Sequence, residues 1–318
     1  MAVIAGIHHV TAIGSDPQAN VDFFVSVLGL RLVKRTVNFD DPTTYHLYYG
    51  DDIGLPGTIL TFFPWAGAPR GKRGTGQATE TAFAVPAGSL DAWMERLAER
   101  AIEFDAPEER LGERVLSVEG PDGFAIELVE QDGAARRGWW SHGPLRKEHA
   151  IRGFAGVTLT VEGYERTAEL LTDVMGYRET HRHDNRFRFA SGADAPGNTI
   201  DVVCAPGRRR GLVAAGTVHH VAFRCATDDE QSAWREALSV AGMNVTPVLD
   251  RQYFRSVYFR EPGGVLFEIA TDAPGFAIDE TAAELGGSLK LPPWLEPRRQ
   301  RIEERLAPLK IPVAGSAS

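Results

Sequence analysis

The chain has 318 residues, a formal net charge of -9 and a pI near 5.5, with 43% hydrophobic and 24% charged residues. These values suit a globular protein of two domains and exclude a phosphate-backbone partner, because nucleic-acid binding draws its affinity from clustered Lys and Arg. Cys204 and Cys225 are too few for a disulfide framework, and no apolar run is long enough to span a bilayer or act as a leader, so the expectation is a cytoplasmic protein with a small-molecule or protein partner and no nucleic-acid or membrane partner.

The first segment, Ile7-His8-His9-Val10, continues as an extended alternation through Ile13. Ser15-Asp16-Pro17 then signals a helix start, and Val21, Phe23, Phe24, Val27 and Leu28 fall at helical spacing before Gly29. Arg31 to Phe39, Thr44 to Tyr49 and Thr58 to Phe63 read as strands, separated by Asp40-Asp41-Pro42 and Gly54-Leu55-Pro56-Gly57. The unit is βαβββ. A second unit carries a predicted helix from Leu90 to Arg100 and ends with Pro121-Asp122-Gly123 leading to Glu127. A hinge follows between Gln131 and Arg152, with Trp139-Trp140 inside it. A third unit starts at Gly153, and the interval from Val157 to Gly176 equals that from Val10 to Gly29, 19 residues, which marks an internal repeat. The fourth unit opens with Val218-His219-His220-Val221, has a predicted helix from Glu230 to Ala241, and closes with Pro262-Gly263-Gly264 leading to Glu268 in the same P-x-G-x-x-x-E spacing as the second. From Ala273 a tail with Pro292-Pro293 and a charged helical stretch near Glu296 to Leu306 is expected to pack across the domains. The predicted class is α+β: four βαβββ modules in two domains, 1–135 and 150–275, with a C-terminal tail, 276–318.

Nine histidines scattered at random over 318 residues would give about 0.2 adjacent pairs. Two pairs in matching apolar frames therefore point to one shared chemistry. Adjacent strand residues face opposite sides, so one histidine of each pair can enter a given cavity. His8 shares its face with Val10 and Ala12, and His219 shares its face with Val221, Phe223 and Cys225; His9 and His220 are left as the metal ligands. In the last strand Phe267 and Ile269 form the apolar set, and Glu268 on the other face needs a cation or a partner. Two imidazoles and one carboxylate form the arrangement used by non-haem Fe(II) oxygenases. Module three has Ala155-Gly156 where module one has His8-His9, so the fold itself does not demand histidine. His9, His220 and Glu268 converge only if modules one and four face each other, and that is the expected arrangement. Glu80 and Glu127 could form a second site, but no histidine lies in the equivalent strands of modules two and three, and a remnant of duplication is the simpler reading. His46 falls on a predicted strand and could line the cavity. His142, His149, His181 and His183, the run Arg208-Arg209-Arg210 and the loop Gly71-Lys72-Arg73-Gly74 read as surface.

In these features the chain resembles the vicinal oxygen chelate superfamily, whose βαβββ modules pair into open barrels around a divalent metal. Tyr258-Phe259-Arg260-Glu261-Pro262-Gly263-Gly264-Val265-Leu266-Phe267-Glu268 is similar to the Y-x-x-[DE]-P-x-G-x-x-x-E stretch of type I extradiol ring-cleaving dioxygenases. Catechol-cleaving members carry a histidine shortly before that tyrosine, and the nearest position here is Arg251. Gly6 to Thr11, Val33-Lys34-Arg35-Thr36, Tyr45-His46-Leu47-Tyr48 and Tyr253 to Glu268 resemble instead the hydroquinone ring-cleaving dioxygenases.

That resemblance implies Fe(II), with Mn(II) or another divalent metal as a substitute, held by His9, His220 and Glu268. It also implies Tyr258 in the cavity, His8, Thr11, His219 and Arg251 as supporting groups, and a small aromatic substrate and O2 as reactants, in a protein compatible with a homo-oligomer. Two rival readings are a glyoxalase-like isomerase or lyase, which asks for a second carboxylate ligand such as Glu127, and a drug- or quinone-binding protein without the metal triad.

Overall fold

The structure is a computed structural model and describes residues 4–192 and 197–312; the last six residues of the expected tail, 313–318, lie outside the described residues. Four βαβββ modules follow one another along the chain. Module one comprises β1 (Ile7–Gly14), α1 (Pro17–Val21), β2 (Arg31–Val37), β3 (Tyr45–Gly50) and β4 (Ile59–Pro64). Module two has β5 (Gln77–Pro86), α2 (Leu90–Glu99), β6 (Glu108–Arg110), β7 (Glu113–Glu119) and β8 (Ala125–Gln131). In module three β9 (Phe154–Val161) and α3 (Glu165–Glu169) precede β10 (Arg178–His183), β11 (Arg186–Ala190) and β12 (Thr199–Cys204). Module four runs through β13 (Val218–Cys225), α4 (Asp228–Val240), β14 (Leu249–Asp250), β15 (Arg255–Arg260) and β16 (Leu266–Thr271).

Local chemistry accounts for the helix ends. The Asp16 carboxylate accepts hydrogen bonds from the backbone N–H groups of Gln18 and Ala19, and Pro17 occupies the first turn, where its missing N–H costs nothing. The helix then widens into a π-helical turn, Asp22–Val27, and stops at Gly29, whose φ of 66° is open to glycine without strain. Module three repeats the device: α3 runs into a π-helical turn, Leu170–Val174, and stops at Gly176 with a φ of 77°. The spacing correctly placed these helices but contains no mark of the π-turns.

Two eight-stranded sheets result, in the orders β14-β15-β16-β13-β1-β4-β3-β2 and β10-β11-β12-β9-β5-β8-β7-β6. Modules one and four thus share one sheet, joined by the antiparallel pair β1·β13, and modules two and three share the other through β5·β9. Sheet-to-sheet packing is aromatic: Phe124 of module two meets Phe24 and Phe62 of module one at ring-centroid distances of 6.3 and 5.3 Å. In the hinge, the buried Arg152 guanidinium lies 4.2 Å over Trp139 and donates to the carbonyls of Arg137 and Lys147.

The tail lies across modules one and four. Lys290 N–H donates to the Arg35 carbonyl, Tyr45 Oη donates to the Ala307 carbonyl, and Phe276 packs on Tyr48 and Tyr253. Its charged stretch forms one short helix, α5 (Arg299–Glu303). The buried Lys34 ammonium is held by Asp279 at 2.5 Å and by Glu280.

Candidate metal centre and its cavity

Three strands of the first sheet each deliver one group to a common point. His9 from β1 and His220 from β13 bring their Nε2 atoms to 3.2 Å of each other, and Glu268 from β16 places Oε2 3.4 Å from the first and 2.9 Å from the second. Among the described residues this is the one group of three metal-competent side chains, with all ligand atoms within 4.8 Å. All three are buried. Glu268 Oε1 accepts from Ser256 Oγ at 2.5 Å, whereas Oε2 is enclosed and makes no hydrogen bond of acceptable geometry. An enclosed carboxylate oxygen left between two imidazole nitrogens fits a divalent cation, which would satisfy all three at once. Burial by itself would raise the Glu268 pKa, but His9 and His220 outweigh it and hold the carboxyl well below its usual range, so the group is an anion ready to bind.

The supporting histidines correct one step of the strand-face argument. His8 and His219 were expected on the faces away from the cavity, the first with Val10 and Ala12, the second with Val221, Phe223 and Cys225. His219 lines the cavity and His8 does not, and both sit at bulges in the β1·β13 ladder: the register slips between Ile7 and His9 on one strand and, opposite the step from Thr11 to Ala12, between His220 and Val218 on the other. A bulge leaves one residue unpaired and rotates its side chain out of alternation. His8 Nδ1 consequently lies 2.9 Å from His9 Nδ1, and His219 Nδ1 lies 2.8 Å from His220 Nδ1. If each ligand carries its proton on Nδ1 and donates it to the neighbour, its Nε2 lone pair is left for the metal. Burial, reinforced by the adjacent imidazole, depresses both supporters, His8 well below its ordinary value and His219 to about 3. They are neutral acceptors at physiological pH.

A cavity of about 370 Å³ opens onto His9 and His220, walled by Phe39, Phe63, Trp65 and Phe254. Tyr258 stands opposite Glu268 on β15 and lies 5.6 Å edge-on from the His220 ring. Arg251 Nε donates to Tyr258 Oη at 3.3 Å, and its other end pairs with Asp40 at 3.0 Å. Burial and the charge of Glu268 push the Tyr258 phenol up, so it keeps its proton. His46 does line the cavity, but both ring nitrogens are engaged: Tyr48 Oη at 2.8 Å on Nδ1 and Thr61 Oγ1 at 2.8 Å on Nε2. Thr61 in turn donates to Thr11 at 2.9 Å. Thr11 therefore closes a buried hydrogen-bond chain beside β13. Ser256, Phe254 and this Tyr48–His46–Thr61–Thr11 chain escaped the sequence reading, although Ser256 shares the Tyr258 face by simple alternation.

The second sheet repeats the frame without the ligands. Aligning the bulges at Thr79 and Ala155 with those at His219 and His8 sets Glu80 and Gly156 at the places of His220 and His9, and Glu127 at the place of Glu268. Arg110 grips Glu127 with both terminal nitrogens at 2.7 and 2.8 Å, and Arg188 and Arg186 engage Asp201 at 2.7 and 2.9 Å. Arginine guanidinium groups supply the positive charge there. The same alignment across the first sheet puts Thr61 at the position that mirrors Glu268.

Comparison with known proteins agrees with this architecture. Residues 6–128 and 153–269 match the family described as the Glyoxalase/Bleomycin resistance protein/Dioxygenase superfamily. A Bacillus subtilis (strain 168) protein provisionally named ring-cleaving dioxygenase MhqO is 47% identical over 307 residues, covering 96% of this chain and 97% of its own. The chlorohydroquinone/hydroquinone 1,2-dioxygenase of Sphingobium indicum is 38% identical over 301 residues, 92% of this chain and 93% of its own. The crystal structure of a provisionally named dioxygenase from Bacillus subtilis superposes with a TM-score of 0.93 at 46% identity, covering 98% of this chain and 99% of that one. Glyoxalase I from Zea mays, at 14% identity and a TM-score of 0.64 over 84% of this chain and 92% of its own, shares the fold. With a bulge-built triad in a βαβββ frame and full-length relatives of this kind, the chain belongs to the glyoxalase/bleomycin resistance protein/dioxygenase superfamily, in the group that holds the ring-cleaving dioxygenases.

Proposed function

We propose that the protein is a metal-dependent dioxygenase that opens the ring of a hydroquinone-type aromatic diol with O2, and that His9, His220 and Glu268 hold Fe(II). The observation that carries this reading is the enclosed Glu268 Oε2, without a hydrogen bond, between the Nε2 atoms of two imidazoles that line an aromatic-walled cavity. A bound Fe(II) would supply Lewis acidity and a template for the two reactants. The side chains do the remaining work. Phe254 packs against His9 at 4.9 Å, and with Phe63 it offers a slot for a flat ring. Tyr258, which accepts from Arg251 and keeps its own proton, donates a hydrogen bond to a substrate oxygen, and the guanidinium offsets negative charge that develops there. Addition of both atoms of O2 to a diol ring, with cleavage of the carbon–carbon bond beside a hydroxyl-bearing carbon, gives a ring-opened semialdehyde acid.

The mirror position of Glu268 bears on the glyoxalase-like alternative. Thr61 stands there, bonded to His46 and Thr11, and Glu127 is bound by Arg110 in the other sheet. Three ligands with no second carboxylate favour oxygen chemistry over isomerisation. Anaerobic reconstitution with Fe(II), followed by oxygen uptake with hydroquinone and with catechol in parallel, tests the proposal. Uptake with hydroquinone that disappears in His220→Ala is expected; no uptake with either diol at full iron loading contradicts it.

A further inference from the structure

From the shape of the cavity we infer that Asn38 selects the substrate by donating a hydrogen bond to an oxygen at the end of the ring remote from the metal ligands, so that para-oxygenated phenols are preferred. This rests on the aromatic-diol reading above.

Asn38 begins the turn after β2 and is 8% exposed. Its Oδ1 accepts the backbone N–H of Asp40 at 2.9 Å and that of Asp41 at 3.4 Å. Those two donors fix the orientation of the amide, because only the oxygen can accept. Nδ2 is then directed away from the turn, and it has no hydrogen-bond partner among the described residues. It is not sealed in the interior either, since the side chain lines the cavity that holds the metal ligands. A buried amide donor without a partner costs free energy unless a ligand or water takes it.

Depth places that donor relative to the ligands. His9 and His220, 2 and 4% exposed, line the cavity floor, and the fully buried Glu268 lies behind them. Above them Phe63 packs on His219 at 5.9 Å and on Trp65 at 5.4 Å, and Trp65 Nε1 donates to Asp41 in the Asn38 turn at 2.9 Å. The same turn carries Asp40, whose side chain is 74% exposed and pairs with Arg251 at the mouth. Asn38 therefore belongs to the rim, one aromatic layer above the floor. A ring with adjacent oxygens would direct both to the floor and leave Asn38 unbonded. Opposed oxygens reach both levels. Thr246, which also lines the cavity, accepts from the Tyr258 N–H and sits on the Tyr258 wall, so it serves the floor end.

The test is equilibrium binding measured anaerobically, by calorimetry, with three probes of the metal-loaded protein: hydroquinone, 4-methoxyphenol and phenol. The wild type is expected to bind the first two about 5- to 10-fold more tightly than phenol, the range of one neutral hydrogen bond. Asn38→Ala should erase that preference while leaving phenol binding unchanged. Asn38→Asp keeps the acceptor for the turn but replaces the donor, so 4-methoxyphenol, which can only accept at its ether oxygen, should fall to the level of phenol. An undiminished preference in both variants overturns the assignment to Asn38 alone. Failure of the wild type to bind any of the three overturns the aromatic-substrate reading and this inference with it.

Discussion

At the proposed metal site His8 and His219 show how support can come from residues that are not ligands. Each touches the ligand beside it through Nδ1, at 2.9 and 2.8 Å, and each is a neutral acceptor. Removing such a partner frees the ligand ring to rotate and lowers its basicity, which typically weakens metal affinity about 10- to 100-fold. His8→Ala and His219→Ala are expected to show that loss in a competition assay with a metal chelator while the far-ultraviolet circular dichroism spectrum stays unchanged. His46 has a different signature. Burial, followed by the neighbouring His9, His220 and Arg251, depresses it well below 6.5. The unfolded chain therefore takes up a proton near pH 6.5 that folded His46 refuses, and stability falls as pH drops below that value, by up to about 1.4 kcal/mol per pH unit for one histidine. In the metal-free protein His46→Gln, which can keep bonds to Tyr48 and Thr61, should flatten the decline of the melting temperature between pH 6.5 and 5. An unchanged slope would mean that other groups carry it.

At the level of strands, the division between legible and illegible has a physical cause. Period-two alternation is a property of one strand, and it singled out His9, His220 and Glu268, whose side-chain donor atoms the structure brings within 4.8 Å of one another. A bulge is a property of a pair of strands. The slips at His8 and His219 leave no local mark, and the expectation of a face away from the cavity failed for His219, which lines it, but not for His8. The π-helical turns escaped similarly, because apolar residues at helical spacing also satisfy a slightly wider turn. The repeated frame in the second sheet yields another prediction. Arg110 and Glu127, with side chains 14 and 6% exposed, form a bidentate buried pair. Arg110→Ala should cost about 3–5 kcal/mol by stranding the carboxylate, read as a lower denaturation midpoint. Metal binding in the other sheet should be unaffected.

For the whole molecule, the arrangement of modules decides whether a site exists at all. Pairing of module one with module four brings His9 to Glu268, and the composition of either segment does not force it; the convergence of a matched His-His pair and a remote carboxylate made it the economical choice. The tail then secures the sheet so formed, since Asp279 and Glu280 neutralise the fully buried Lys34 of β2. Deleting residues from 276 onward is expected to lower the melting temperature by stranding that ammonium, and Lys34→Met in the shortened protein should recover part of the loss. If Lys34→Met gives no recovery, the tail acts through its hydrogen bonds and apolar contacts instead.

The seam between β1 and β13 also sets an order in time. The ligands His9, His220 and Glu268 leave the ribosome in that sequence, so a chain that has grown only as far as the hinge owns a single ligand, and one that has reached β15 still lacks the carboxylate. The proposed three-ligand centre is complete only once β16 has been added to the sheet.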